Sequence, residues 1–200
     1  MSTFDLTIIS YAKKREDWLC NCCIQVQSQR TNLRVQHIVF YEDCGYGGMK
    51  RGIERHQLQC RGRVDVTPME VPSMSELSLR DWGACFALGD YICYWNYGNY
   101  WTPDAADSLY AAASGYDVGI CQCTCWFNQD YRTVPQWSGH VKRGDIYYGS
   151  CCFRREAARA VKWEGYDYIC AEHRVIRGIE EGGGSVNFCP LVVGTIQGHY

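Results

Sequence analysis

The sequence has no second CxxC to pair with the one at Cys20–Cys23, although it holds fourteen cysteines. Zinc ribbons and fingers are built from paired CxxC knuckles, so that class is excluded. Neither GxGxxG nor GxxxxGK[ST] occurs, so no dinucleotide fingerprint and no P-loop is available. No apolar run approaches the length of a bilayer span. The opening residues, MSTFDLTIIS, lack the basic segment and long apolar core of a secretion signal. The expectation is a soluble, cytoplasmic protein in which disulfides do not form. A large charge of either sign is also missing. The net charge of −2 gives no bulk attraction to nucleic acid or acidic membranes. No repeat, low-complexity segment or linker interrupts the chain, so residues 1–200 are read as one domain.

What is present is a globular composition, 46% apolar and 21% charged over 200 residues. Cys121, Cys123 and Cys125 alternate with Gln122 and Thr124, which puts the three thiols on one face of a strand. Free cysteines most often act as small buried hydrophobes. A cysteine-based metal protein is the competing reading.

Apolar periodicity lays out the elements. Strands are expected over 4–10, 33–41, 63–67, 91–95, 117–127 and 186–193, with short strands inside 141–153. Helices are expected over 15–29, 75–88, 103–113, 154–163 and 168–181, the last ended by three glycines from Gly182. Ser75 is the expected cap of its helix, and Leu77, Leu79, Trp82, Phe86 and Leu88 its apolar face. Residues 45–63 read as a glycine-rich basic loop with a short helical piece, and 128–139 as an irregular loop. Strands alternating with helices imply an α/β fold with a central, mostly parallel sheet flanked by helices.

The stretch GDYICYWNYGNYWTPD, residues 89–104, organises the rest. Gly89 is expected to close a helix. Tyr91 to Trp95 is an apolar strand, Asn96 to Asn99 a polar tip, and Pro103 opens the next helix with Thr102 as cap. An open α/β sheet presents its chemistry at such strand ends. The aromatic group Tyr94, Trp95, Tyr97, Tyr100 and Trp101 suits the apolar faces of sugar rings, with core packing as the plainer use.

The order of these segments resembles the GT-A glycosyltransferases, most closely the family 2 type. The residues that carry the resemblance are Glu42-Asp43-Cys44-Gly45 after the second strand, Arg80-Asp81-Trp82-Gly83, Gly89-Asp90-Tyr91-Ile92, the tip Asn96-Tyr97-Gly98-Asn99, and Pro103-Asp104. FRREAA at residues 153–158 and Glu172 follow. The resemblance implies a single GT-A (Rossmann-like) domain, with residues 1–100 as the nucleotide-binding half and 101–200 as the acceptor side. It implies an enzyme that uses a UDP- or GDP-sugar as donor and a hydroxyl-bearing acceptor: a glycan, a small molecule or a modified nucleic acid. Ser10, Tyr11, Arg15, Asp43, Arg80 and Asn96 fall at its nucleotide-sugar positions. Glu172 falls at its general-base position, with Asp145 as rival, for an inverting transfer.

One departure is chemical. The family's Asp-x-Asp tip binds manganese or magnesium, and hard cations prefer carboxylate oxygens. Here the tip is degenerate and offers the amides of Asn96 and Asn99, with His199 as a further weak ligand. A divalent metal is therefore expected to bind weakly. Charge on a diphosphate leaving group must still be met, and Lys50 to Arg63 or Arg154-Arg155 are available for it. The alternatives are a catalytically inactive binder of nucleotide sugar or glycan, and a transferase acting on hydroxylated bases in DNA.

Overall fold

The computed structural model describes residues 3–12, 16–42, 48–60, 62–95, 99–127, 130–135, 146–166 and 171–196. The elements run β1 (Phe4–Ala12), α1 (Glu16–Gln27), β2 (Val35–Tyr41), α2 (Gly48–Cys60), β3 (Val64–Glu70), α3 (Glu76–Phe86), β4 (Gly89–Trp95), β5 (Asn99–Trp101), α4 (Ala105–Ala113), β6 (Val118–Phe127), β7 (Asp130–Val134), β8 (Cys151–Arg154), α5 (Arg155–Ala160), α6 (Ala171–Glu181) and β9 (Val186–Ile196).

The strands form one sheet in the order β3-β2-β1-β4-β8-β6-β9-β5, with β7 paired to the outer part of β6. β3, β2, β1 and β4 are parallel neighbours, as are β6 and β9. β8 runs against both β4 and β6 and joins the two parallel parts. The sheet is mostly parallel, as expected.

Alternation along each strand divides the core into two layers. Leu6, Ile8 and Ala12 of β1 share one face with Val35 and Val39 of β2 and pack under α1, α2 and α4. Ile9 and Tyr11 share the other face with Ile38 and Phe40 and pack under α3, α5 and α6. Burial on both faces explains why β1 and β2 read as continuous apolar runs rather than as alternating ones.

Several boundaries differ from the sequence reading. Residues 48–60 form a full helix, α2, whose buried positions Met49, Ile53, His56 and Cys60 keep helical spacing. Its glycines masked that pattern. Gly52 lies so close to α1 that a Cβ there would be 2.9 Å from Leu19 Cδ2. The buried side of α3 is Leu77, Leu79, Arg80, Gly83 and Ala84, whereas Trp82, Phe86 and Leu88 are exposed. The helix presents its small residues to β1, because a Cβ on Gly83 would stand 2.7 Å from Ile9 Cδ1. Large apolar side chains would not fit there.

Gly89 opens β4 instead of closing a helix. A Cβ there would meet the Thr7 backbone nitrogen at 2.5 Å, and its N–H donates to Thr7 Oγ1 at 2.9 Å. The first turn of α4 is served by Gln29, whose Oε1 accepts from the Ala106 N–H at 3.0 Å. Thr102 does not cap it and donates instead to the Val193 carbonyl. A distant glutamine in the capping role has no local sequence signal. β7 falls where an irregular loop was expected and pairs back on β6, Thr133 facing Thr124. β3 and β9 extend beyond their expected ends. Ser75 caps α3 as expected, its side chain accepting from the Ser78 N–H at 3.0 Å. Among the described residues no helix is long and apolar enough to cross a membrane.

Two glycines give opposite expectations. A Cβ on Gly119 would lie 2.3 Å from the Ala113 nitrogen of α4, a backbone atom that cannot swing aside. Gly119→Ala should cost about 3 kcal/mol of unfolding free energy. Gly178, inside α6, has open space around it, and Gly178→Ala should add about 0.5–1 kcal/mol. Urea unfolding of both variants checks the pair.

Candidate functional site

The carboxyl ends of β1, β2 and β4 come together, as parallel neighbours must. Ser10 stands beside Val39 on one side and Trp95 on the other. A small cleft of about 10 Å³ there is lined by Ser10, Tyr11, Phe40, Arg80, Tyr94 and Trp95, among others. Ser10 and Tyr11 both border it, but as consecutive strand residues their side chains leave opposite faces.

Tyr11 lies on the α3 side. Its hydroxyl donates to Glu42 Oε1. Burial first, and the bond to Glu42 second, push the phenol well above its ordinary pKa, so it is a fixed donor. Ser10 lies on the α1–α2 side, with Oγ 2.8 Å from His37 Nε2. His37 Nδ1 is 2.9 Å from His56 Nε2, and Gln27 Nε2 is 2.8 Å from His56 Nδ1. Burial, and secondarily the neighbouring His56, hold the His37 pKa well below 6.5, so the imidazole is neutral.

Arg80 is 2% exposed. Its Nη1 donates to Glu172 Oε1 and its Nη2 to Glu76 Oε1, both at 2.8 Å. The guanidinium carbon is 4.7 Å from the centroid of Trp163 and 5.7 Å from that of Tyr94. Two residues expected to serve donor and acceptor separately are therefore direct partners, α3 holding one and the first turn of α6 the other. Burial raises the Glu172 carboxyl above 4.5, and the charge and hydrogen bond of Arg80 oppose that rise only in part.

The remaining expected residues are placed as follows. Asn99 begins β5 opposite Ile196. Arg15, Asp43, Asn96, Asp145 and His199 lie outside the described residues. Of the aromatic group, Tyr94, Trp95 and Trp101 are buried and Tyr100 is exposed. Core packing therefore uses most of those described. Among the described residues no three His, Cys, Asp or Glu side chains are grouped to hold a metal ion. Of the described cysteines only Cys20 and Cys85 are exposed and Cys189 is partly so; the rest are buried thiols.

Sequence reading missed His37, His56 and Glu76, and valued Glu42 only as part of an acidic tip. His37 carried a weak signal, since it occupies the inward position between Val35 and Val39 of a strand with both faces buried. Glu76 carried a local signal as the i,i+4 partner of Arg80 on one helix, whereas His56 carried none, because His37 and Gln27 lie on other elements.

An open depression of about 480 Å³ lies at the opposite end of the sheet. It is lined by Phe4, Arg34, Val35, Arg63 and Val64. It collects the amino ends of β1, β2 and β3, away from the polar strand tips.

Arg80→Leu should lower the unfolding free energy by about 3–5 kcal/mol at pH 7, since it leaves Glu172 buried without its cation. The sign of the pH effect follows from linkage. A carboxyl with a raised folded pKa favours folding below its unfolded value and loses that contribution as pH rises through the folded one. Loss of Arg80 raises the folded value further. The deficit against wild type should therefore be largest at neutral pH and shrink toward pH 5. Denaturant titrations at pH 5, 6 and 7 measure it, and a deficit independent of pH would contradict the pairing.

No known family and no curated protein sequence matches the chain. Solved structures do match. Residues 1–349 of S. aureus TarS superpose with a TM-score of 0.71 at 11% identity, over 96% of this chain and 60% of that one. The same fragment in complex with UDP gives 0.71 at 12%, over 97% and 60%. A mannosyltransferase from Pyrobaculum calidifontis, PcManGT, in complex with GDP-Man and Mn2+, gives 0.69 at 16%, over 96% and 56%. The chain thus spans about three fifths of the length of these structures. At such identities the likeness is one of fold, and the fold is that of the GT-A-like glycosyltransferases.

Proposed function

We propose that the protein is a glycosyltransferase that moves a sugar from a UDP- or GDP-sugar to a hydroxyl acceptor. The observation that carries this reading is the cleft at the carboxyl ends of β1, β2 and β4, lined by Ser10, Tyr11 and Arg80. It lies in a sheet whose solved likenesses include complexes with UDP, UDP-GlcNAc and GDP-Man. In this reading residues 1–100 hold the nucleotide, through Ser10, Tyr11, Arg15, Asp43, Arg80 and Asn96. Residues 101–200 face the acceptor. UDP or GDP, each at about a hundred times its dissociation constant, should stabilise the fold by about 2.7 kcal/mol. Thermal melts against a panel of nucleotides and nucleotide sugars test it. A panel without any shift would end the proposal.

The transfer is proposed to be inverting, with Glu172 as general base. A base works best when its pKa approaches the working pH, and burial moves the Glu172 carboxyl in that direction. Glu172→Gln keeps size and hydrogen bonding and removes the proton acceptor. Transfer should fall roughly a hundredfold. Measuring Asp145→Asn beside it decides between the two carboxylates. Loss in the second variant alone would move the base to Asp145.

Any divalent metal is proposed to bind mainly through the diphosphate, because the Asn96 and Asn99 amides bring no negative charge. Calorimetric titration of manganese should give heat with UDP present and almost none without it. Tight binding to the protein alone would contradict this.

A second reading is a binder without catalysis. It is favoured by one observation: Glu172 is 4% exposed and already tied to Arg80. Nucleotide-dependent stabilisation without turnover or hydrolysis of any nucleotide sugar would select it.

A further inference from the structure

α3 carries its large apolar side chains on the outside. Trp82, Phe86 and Leu88 are 46%, 47% and 51% exposed, while Gly83 and Ala84 are buried against the sheet layer. Cys85 is exposed as well. Trp82, Cys85 and Phe86 stand at i, i+3 and i+4, so they share one side of the helix. A single exposed apolar residue needs no explanation, but a contiguous patch with a polar rim marks a surface that meets a partner.

The patch is fixed in shape by its neighbour. Arg159 of α5 donates from Nε to the Ala84 carbonyl at 2.8 Å, and from Nη2 to those of Cys85 and Ala87 at 3.0 Å. Arg155 Nη1 donates to the Leu88 carbonyl at 2.9 Å. At the other end Asp81 accepts from the Trp163 and Glu164 N–H groups, at 3.0 and 3.1 Å. α5 and the turn after it therefore lie beside α3 and run opposite to it. A surface already held in place loses little conformational entropy when it docks.

The same bonds order the charges along the rim. Asp90 is answered by Arg155 at 4.0 Å. Glu156, Arg159, Lys162 and Glu164 are exposed, two of each sign. A rim of one sign would suit a lipid surface or a nucleic acid. A balanced rim is complementary to itself. Isologous two-fold contacts, with one patch on both partners, are the commonest in oligomers. An axis beside Cys85 and Arg159 would lay α3 antiparallel on α3 and α5 antiparallel on α5. Trp82 and Phe86 fall on either side of that axis, so each ring meets the other kind on the second copy. Glu156 and Lys162 also fall on either side of it, so opposite charges meet. The row Trp82–Phe86 is an i,i+4 ridge of the kind that packs into the groove of another helix.

We propose that the outer face of α3, with α5 beside it, joins two copies of this chain across a two-fold axis at Cys85. Trp82 packs on Phe86 of the second copy and Lys162 pairs with its Glu156, each contact made twice.

Sedimentation equilibrium of the whole chain tests it. Wild type should be a dimer at micromolar concentration. Trp82→Ala should weaken the dimer about thirtyfold or more, the scale of a central aromatic anchor. Lys162→Glu and Glu156→Lys should each weaken it about fivefold, because like charges then face each other, and the two changes together should restore it. All three positions are exposed, so the variants keep the fold. A short bismaleimide should join two chains through Cys85. The cross-link should survive Cys20→Ser and vanish in Cys85→Ser.

A monomer at every concentration overturns the proposal. So does a dimer indifferent to Trp82→Ala, which would use another face. A combined charge change that fails to restore association, or a dimer without the Cys85 cross-link, overturns the antiparallel arrangement. A monomer that binds phosphatidylglycerol vesicles and loses them in Trp82→Ala would make the patch a lipid contact instead.

Discussion

A guanidinium inside a protein core must be paired, and Arg80 meets that demand with carboxylates from two helices. Glu76 is one turn away on α3, while Glu172 is 92 positions away on α6. The faces of Tyr94 and Trp163 pack against the same cation. Such a pair adds little net stability over apolar replacements, because both charges lost their water. It does restrict geometry. α3 and α6 can settle on the sheet only where the two carboxylates reach the two arms of one guanidinium. That position also forms one wall of the cleft.

The electrostatic result bears on the proposed chemistry. The charge of Arg80 is already answered by Glu76 and Glu172, and the buried Glu42 stands nearby on Tyr11. A diphosphate arriving at this cleft meets a cation that is largely neutralised. Under the proposed function, other basic residues or a metal carried by the diphosphate must supply the balance. The fold alone does not settle such matters, because one architecture hosts many reactions and the chemistry sits in particular side chains.

The opposite layer uses a different device. There the polar groups are joined end to end, from Gln27 to Ser10. Glycines permit close approach in both layers: Gly83 of α3 against Ile9 of β1, Gly119 of β6 against the backbone of α4, and Gly52 of α2 against Leu19 of α1. Ser10 and Tyr11, adjacent in sequence, each carry one layer's hydrogen bonding to the same edge of the cleft.

Much of the architecture was legible in residue order. Apolar runs of strand length, helical spacing and Gly/Pro punctuation reveal the alternating α/β plan, because these are local properties of the chain. The Ser75 cap and the glycine stop after α6 were legible for the same reason. The candidate cleft was legible as a set of strand ends. What the tertiary structure alone decided were pairings between distant elements. Arg80 looked like a surface or ligand-facing arginine until α6 delivered Glu172. Trp82 and Phe86 looked like core until Gly83 proved to be the residue that touches β1. His56 sat in an apparent loop until α2 turned it toward His37. Periodicity tells which face a residue shares with its neighbours in sequence. Only packing tells what stands across from that face, and, apart from Glu76 with Arg80 on one helix, the buried hydrogen bonds and charges of this site are made across it.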